Sequence, residues 1–93
     1  MRRLILMSTA FERAARGLTK RNHAVARQVV DAVRLLAEDA FDSRLKTHKL
    51  SGVLDGLWAC SVSHDLRIVF RFVDHGGQAA ILLQSVGSHD EVY

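Results

Sequence analysis

The run Asp65-Leu66-Arg67-Ile68-Val69-Phe70-Arg71-Phe72-Val73 decides the architecture. Leu66, Ile68, Phe70 and Phe72 alternate with Asp65, Arg67, Val69, Arg71 and Val73, the period of two that sends successive side chains to opposite faces of a sheet. The first set is uniformly apolar and predicts a buried face. The second predicts an exposed face bearing Asp65, Arg67 and Arg71. Arg67 and Arg71 are the only Lys or Arg residues after position 50, and four residues of strand place them about 13 Å apart. Each guanidinium can grip a phosphate there through paired hydrogen bonds. The alternative is a set of surface salt bridges to Asp65 or Asp74, which contribute little.

Working outward, residues 57–62 and 79–86 read as two further strands. Ser63-His64-Asp65 and Asp74-His75-Gly76-Gly77 are short and polar enough to be hairpin connections. Residues 41–56 break every period and hold turn residues, among them Ser51-Gly52 and Asp55-Gly56. Upstream, Asn22 can cap a helix in which Val25, Val29, Ala32, Val33 and Leu36 share one face. Before it, Ser8 and Thr9 offer cap oxygens, and Thr9 with Glu12 makes a capping-box pattern. That first helix carries Phe11, Ala14, Ala15 and Leu18 on one side, and residues 3–7 before it read as a strand. The order β-α-α-β-β-β predicts an α+β domain, two N-terminal helices packed on one face of a small, mostly antiparallel sheet.

At 93 residues the chain is one domain, 1–93. Its 48% hydrophobic and 25% charged content is that of a globular protein and excludes bulk disorder. The longest apolar runs, 4–7 and 79–83, fall far short of the ~20 residues that span a bilayer, and no signal-peptide core follows Arg2 and Arg3. Cys60 is the single cysteine, so neither an internal disulfide nor a thiolate zinc cage is available. A reducing cytoplasm is the expected home. Residues 1–50 hold eleven Lys and Arg against five Asp and Glu, whereas residues 51–93 hold two against five. This asymmetry suits phosphates or an acidic protein partner, or is the solvated face of two amphipathic helices.

Five histidines need separate treatment. His23, His64 and His75 fall at a helix start and in two turns and read as surface residues. His48 and His89 lie in loops that come from the sheet region rather than the helices, so the two imidazoles could meet over the sheet, and a group with an ordinary pKa near 6.5 suits proton transfer at neutral pH. Two imidazoles beside two arginines would serve phosphodiester transfer. A metal site through His48, His64, Asp65, His89 and Asp90 lacks any paired-ligand motif and is not expected. Cys60, Trp58, Phe11 and Phe41 read as core. Tyr93 either stacks on a nucleobase or is a frayed end.

The runs His48-Lys49-Leu50-Ser51-Gly52, Leu57-Trp58-Ala59-Cys60, Asp65-Leu66-Arg67-Ile68-Val69-Phe70 and Val86-Gly87-Ser88-His89-Asp90-Glu91-Val92-Tyr93 resemble the RelE/ParE superfamily of bacterial toxins, most closely the YafQ-type messenger-RNA interferases. The resemblance implies the toxin of a type II toxin–antitoxin system. It implies a ribosome-dependent endoribonuclease that cuts messenger RNA by attack of a ribose 2′-hydroxyl on the adjacent phosphate. No metal, cofactor or small-molecule ligand is implied, and the partners would be a cognate antitoxin, the ribosome and messenger RNA, with no membrane. His48 matches the histidine that acts on the 2′-hydroxyl or supports the transition state, Asp65 a candidate general base, and His89 the general acid. Tyr93 matches the terminal aromatic that contacts RNA. Arg67 and Arg71, from the face argument, are the phosphate-charge candidates, with Lys46 and Lys49 as further RNA contacts.

Two positions depart from the YafQ pattern. Ser61 stands where another histidine is usual, and Leu66 where an aromatic is usual. A missing general acid or base typically forfeits ~10²–10⁴ in rate, so the departure implies a slower reaction or a different proton path if that histidine is needed. Two alternatives share the fold: a ParE-like toxin that inhibits gyrase by binding, and a decayed toxin that only binds its antitoxin.

Overall fold

The computed structural model describes residues 2–93. Strand β1 (Leu4–Met7) leads into helices α1 (Thr9–Thr19) and α2 (His23–Glu38). Two short 3-10 turns, Ser43–Leu45 and Gly52–Leu54, bracket a two-residue strand, β2 (His48–Lys49). Strands β3 (Trp58–Ser61), β4 (Leu66–His75) and β5 (Gln78–Ser88) follow, and a last helix, α3 (His89–Val92), closes the chain. The sheet order is β1-β5-β4-β3-β2, with β1 parallel to β5 and every other pair antiparallel. The α+β arrangement is the expected one. Strand β2 and helix α3 are additions, in segments too short to carry a period of their own.

Local chemistry sets the element ends. Asn22 Oδ1 accepts from the Val25 N–H at 3.1 Å and starts α2. Ser8 rather than Thr9 caps α1: its hydroxyl accepts from the Phe11 N–H at 3.0 Å, and Thr9 already lies inside the helix. The Thr9–Glu12 capping box therefore does not form. Gly76 and Gly77, with φ of 61° and 81°, make the two-residue β4–β5 turn, the left-handed pair that matches the twist of antiparallel strands. Asp74 Oδ1 tightens it by accepting from the Gly77 N–H at 2.7 Å.

The alternation in β4 sends Ile68 and Phe70 to the helix side as its sequence predicts, but the other face, expected to be exposed, holds Val69 at 2% exposure and Arg67 and Arg71 half-buried. Ile68 and Phe70 join Phe11 of α1, Val29, Ala32 and Leu36 of α2, Cys60 of β3, and Ile81, Leu83 and Val86 of β5 in one core. Phe41 departs from expectation. It is 56% exposed, stacked on Phe72 and edge-on to Trp58 at the margin of that core, because α2 has ended and Asp39 turns the chain outward by accepting from the Phe41 N–H.

Strand β5 contains an irregularity with consequences for the site. Val69 pairs with Ser85 but Phe70 pairs with Leu83, leaving Gln84 as an extra residue. Such a bulge shifts the inside–outside phase of the strand. Ile81 and Leu83 point into the core before it and Val86 after it, so Gly87 falls on the face turned away from α1 and α2, opposite Arg67. The Ser8 hydroxyl donates to the Gln84 carbonyl at 3.0 Å and the Ser8 N–H to the Leu83 carbonyl at 3.0 Å. Ser8 thus holds both the α1 start and the bulge. Ser8→Ala is expected to destabilise the fold by about 1–2 kcal/mol, at the upper end for a lost helix cap, read as a lower urea midpoint at constant slope.

Candidate active site

Pairing across the strands arranges the face turned away from α1 and α2 in rows. Ser61, Arg67 and Gly87 form one row, and His48, Ala59, Val69 and Ser85 the next. Arg71, Leu82 and Leu6 form the third. His48 therefore lies level with the midpoint between Arg67 and Arg71, about 7 Å along the strand direction from either row. The floor is low and apolar: Ala59, Val69 and Gly87 are buried. Ser61, where the YafQ pattern carries a histidine, stands on this face beside Arg67.

His48 Nδ1 lies 3.0 Å from the Lys46 carbonyl oxygen. A carbonyl only accepts, so Nδ1 carries the proton and the neutral ring leaves its Nε2 lone pair free. The ring is exposed. Lys46 adopts a left-handed backbone, φ 51°, in aiming that carbonyl. The arrangement makes His48 a ready proton acceptor.

On the other margin, α3 folds back over the same face. A side-chain carbon on Gly87 would lie 3.1 Å from Glu91 Oε1 and 3.3 Å from Val92 Cγ1, so glycine is what permits the approach. His89 opens this helix and packs edge-on against Tyr93, ring centroids 4.4 Å apart. Tyr93 is therefore seated rather than frayed. Partial burial raises the pKa of its phenol, while the Arg67 guanidinium opposes the rise. His48 and His89 share a face but not a contact. Three strand spacings, about 14 Å, separate the His48 backbone from β5 in its own row.

Arg67 is more constrained than its exposed position in the alternation suggests. Its Nη1 donates to the carbonyls of Ser63, His64 and Leu66 at 2.9, 3.2 and 3.0 Å. It thereby ties down the β3–β4 connection that carries Asp65. Its Nη2 and Nε have no protein partner among the described residues, and they remain for an anion. Arg71 reaches toward the loop before β3, with Nη1 3.9 Å from where a Gly56 side chain would begin. Neither arginine pairs with Asp65 or Asp74; among the described residues the ion pairs are Arg44–Asp42 and His89–Asp90. Two guanidinium bonds of 3.0 Å from Arg44 hold the Asp42 carboxyl down at about 2, which removes Arg44 from the free cations.

Lys49 does not join the site. It alternates with His48 and pairs with Trp58 on the core-facing side, its Nζ 5.8 Å from the Trp58 ring centroid, within cation–π range. Lys46 is exposed beside His48. Cys60 is buried, and burial pushes its thiol up to about 12, so it supplies no thiolate at neutral pH. Clefts occur beside α2 (about 520 Å³, lined by Gln28, Asp31, Leu35 and Ser61), at the α1–α2 turn and beside β1. None of the three is lined by His48, Asp65, Arg67, Arg71 or His89. Strand and helix periodicity do not single out Gly87, Ser88 and Glu91, although Ser88-x-x-Glu91 is a legible capping-box signature.

A family described as the bacterial toxin of a type II toxin–antitoxin system, YafQ, matches residues 3–93. The chain belongs to the YafQ toxin family. Among solved structures, YafQ from Escherichia coli strain BL21(DE3) is 17% identical and superposes with a TM-score of 0.78 over 98% of each chain. The YoeB/ParE toxin from Agrobacterium tumefaciens is 15% identical, with a TM-score of 0.78 over 92% of this chain and 98% of that one. YafQ in the E. coli DinJ–YafQ toxin–antitoxin complex is 18% identical, TM-score 0.76, over 100% of this chain and 99% of that one. At such identities these structures establish the fold, α+β with a five-stranded sheet. No curated protein sequence matches the chain.

Two outcomes follow for the YafQ-family site. Cys60 is expected to stay unmodified by a thiol reagent in the native protein and to react once urea unfolds it. Arg67→Ala is expected to speed deuterium exchange at the Val62 and Ser63 amides, which donate to the Leu66 carbonyl that Arg67 braces, with the rest of the sheet unchanged.

Proposed function

We propose that this YafQ-family toxin is a ribosome-dependent endoribonuclease that cleaves messenger RNA without a metal or cofactor. The observation that carries the reading is the exposed His48 Nε2 lone pair on the same uncovered face as Arg67 and Arg71. His48 takes the proton of a ribose 2′-hydroxyl, whose oxygen attacks the adjacent phosphorus. The P–O2′ bond forms as the P–O5′ bond breaks. His89, protonated, gives its proton to the departing 5′ oxygen. Arg71 and the unbonded nitrogens of Arg67 offset the charge that builds on the phosphoryl oxygens, and Lys46 adds positive charge beside His48. Tyr93 offers its ring to a base. Asp65, exposed and unpaired among the described residues, lies at the end of the face nearest Arg67 and can take up or relay a proton.

The distance between the two histidines gives the ribosome its part. Acid and base in a substrate-free enzyme commonly stand apart and draw together around the substrate. The clefts beside α2, at the α1–α2 turn and beside β1 are not lined by these residues, so presentation by the ribosome supplies the geometry. A cognate antitoxin is the second partner, as DinJ is for E. coli YafQ, and the cytoplasm, where translation occurs, is the site of action.

Expression without antitoxin is expected to arrest growth, with cuts in translated messages only. His48→Ala and His89→Ala should each lower cleavage ~10²–10⁴-fold while leaving the far-ultraviolet circular dichroism unchanged. Arrest with intact messages and inhibited supercoiling would replace this reading with gyrase inhibition, and no arrest would leave antitoxin binding alone.

A further inference from the structure

We propose that Glu91 is a positioning residue: its carboxylate seats the α3 helix on the open face and so fixes His89 and Tyr93 in place. Four observations converge on it. The Ser88 N–H donates to Glu91 Oε1 at 2.8 Å, and the Glu91 N–H donates to Ser88 Oγ at 3.3 Å, a reciprocal box closed around His89. The same carboxylate lies 3.1 Å from the point where a Gly87 side chain would start, so it reaches back over the sheet while the residue stays solvent-exposed. The Tyr93 N–H donates to the His89 carbonyl at 3.1 Å, and the two rings meet at 84°. Finally, Ser88 holds the Glu91 carboxyl below its usual range, through its N–H first and its hydroxyl second, so the group is ionised at neutral pH and keeps its acceptor role.

Four residues cannot sustain a helix by themselves in water. What holds this one is the box on one side and the glycine-floored contact on the other. His89 and Tyr93 are both exposed, on a helix that rests on β4 and β5. Loss of the box therefore releases both rings together, without touching the core.

The assignment rests on the nuclease reading for its effect on rate, and on the structure alone for its effect on geometry. The test uses the full chain as wild type, Glu91→Ala and Glu91→Gln. Proton NMR reads the His89–Tyr93 ring contacts and the ring-current shift of His89, and a translation-coupled assay reads kcat and KM. Glu91→Ala is expected to erase the ring contacts and move the His89 protons to free-histidine positions. It should also lower kcat roughly 10- to 100-fold with KM nearly constant. Glu91→Gln should retain both, because a glutamine oxygen can close the same box. Ring contacts that persist in Glu91→Ala overturn the proposal, as does a glutamine variant as impaired as the alanine one. A wild type that cleaves nothing overturns the nuclease reading instead, and the NMR comparison still decides the positioning.

Discussion

The hydrogen bond from the Ser8 hydroxyl to the Gln84 carbonyl holds the point on which the site depends. A bulge leaves one backbone group out of the ladder, and an unpaired carbonyl at the sheet costs free energy unless something donates to it. Ser8 does so from the corner between β1 and α1. With the bulge held, β5 changes phase between Leu83 and Val86. Without that change, Gly87 would face the helices and α3 would leave on the wrong side. His89 and Tyr93 reach the face bearing Arg67 because one extra residue, Gln84, is held by a contact made across the fold.

The face so assembled has a particular electrostatic character. Two arginines stand without carboxylate partners, and the one fully paired cation in the vicinity of the loops, Arg44, is neutralised by Asp42. Between the arginines the floor is Val69 and Ala59, small and buried. Such a surface attracts a polyanion but grips it weakly in shape. His48, with its Nδ1 against the Lys46 carbonyl, stands at the sheet's edge, and His89 stands on a short, locally braced helix. Precision therefore has to come from what is bound as much as from the protein.

Much of this was legible in the chain. The strict period in Leu66 to Val73 placed Arg67 and Arg71 together and Ile68 and Phe70 inside, because a strand allows no other arrangement of side chains. The helix faces and the Asn22 cap were equally readable, since three- and four-residue spacing and a side-chain oxygen before a helix are local properties. Thr9 misled because Ser8 offers the same chemistry one residue earlier, and a choice between neighbouring caps is made by where the sheet holds the chain. Phe41 misled because an aromatic just past a helix is buried only if the chain turns inward. Lys49 lay in a two-residue strand, too short to show which way it alternates.

The sequence by itself determined the layers, the buried and open faces, and the residue types available for phosphodiester chemistry, all of which follow from short-range periodicity. Tertiary structure alone decided that Arg67 spends one nitrogen on three hairpin carbonyls, that His48 exposes Nε2, and that α3 lies over Gly87. Each of these depends on partners distant in the chain or on a turn whose direction is set by packing, and hydrogen bonds of that kind leave no periodic trace in the order of residues.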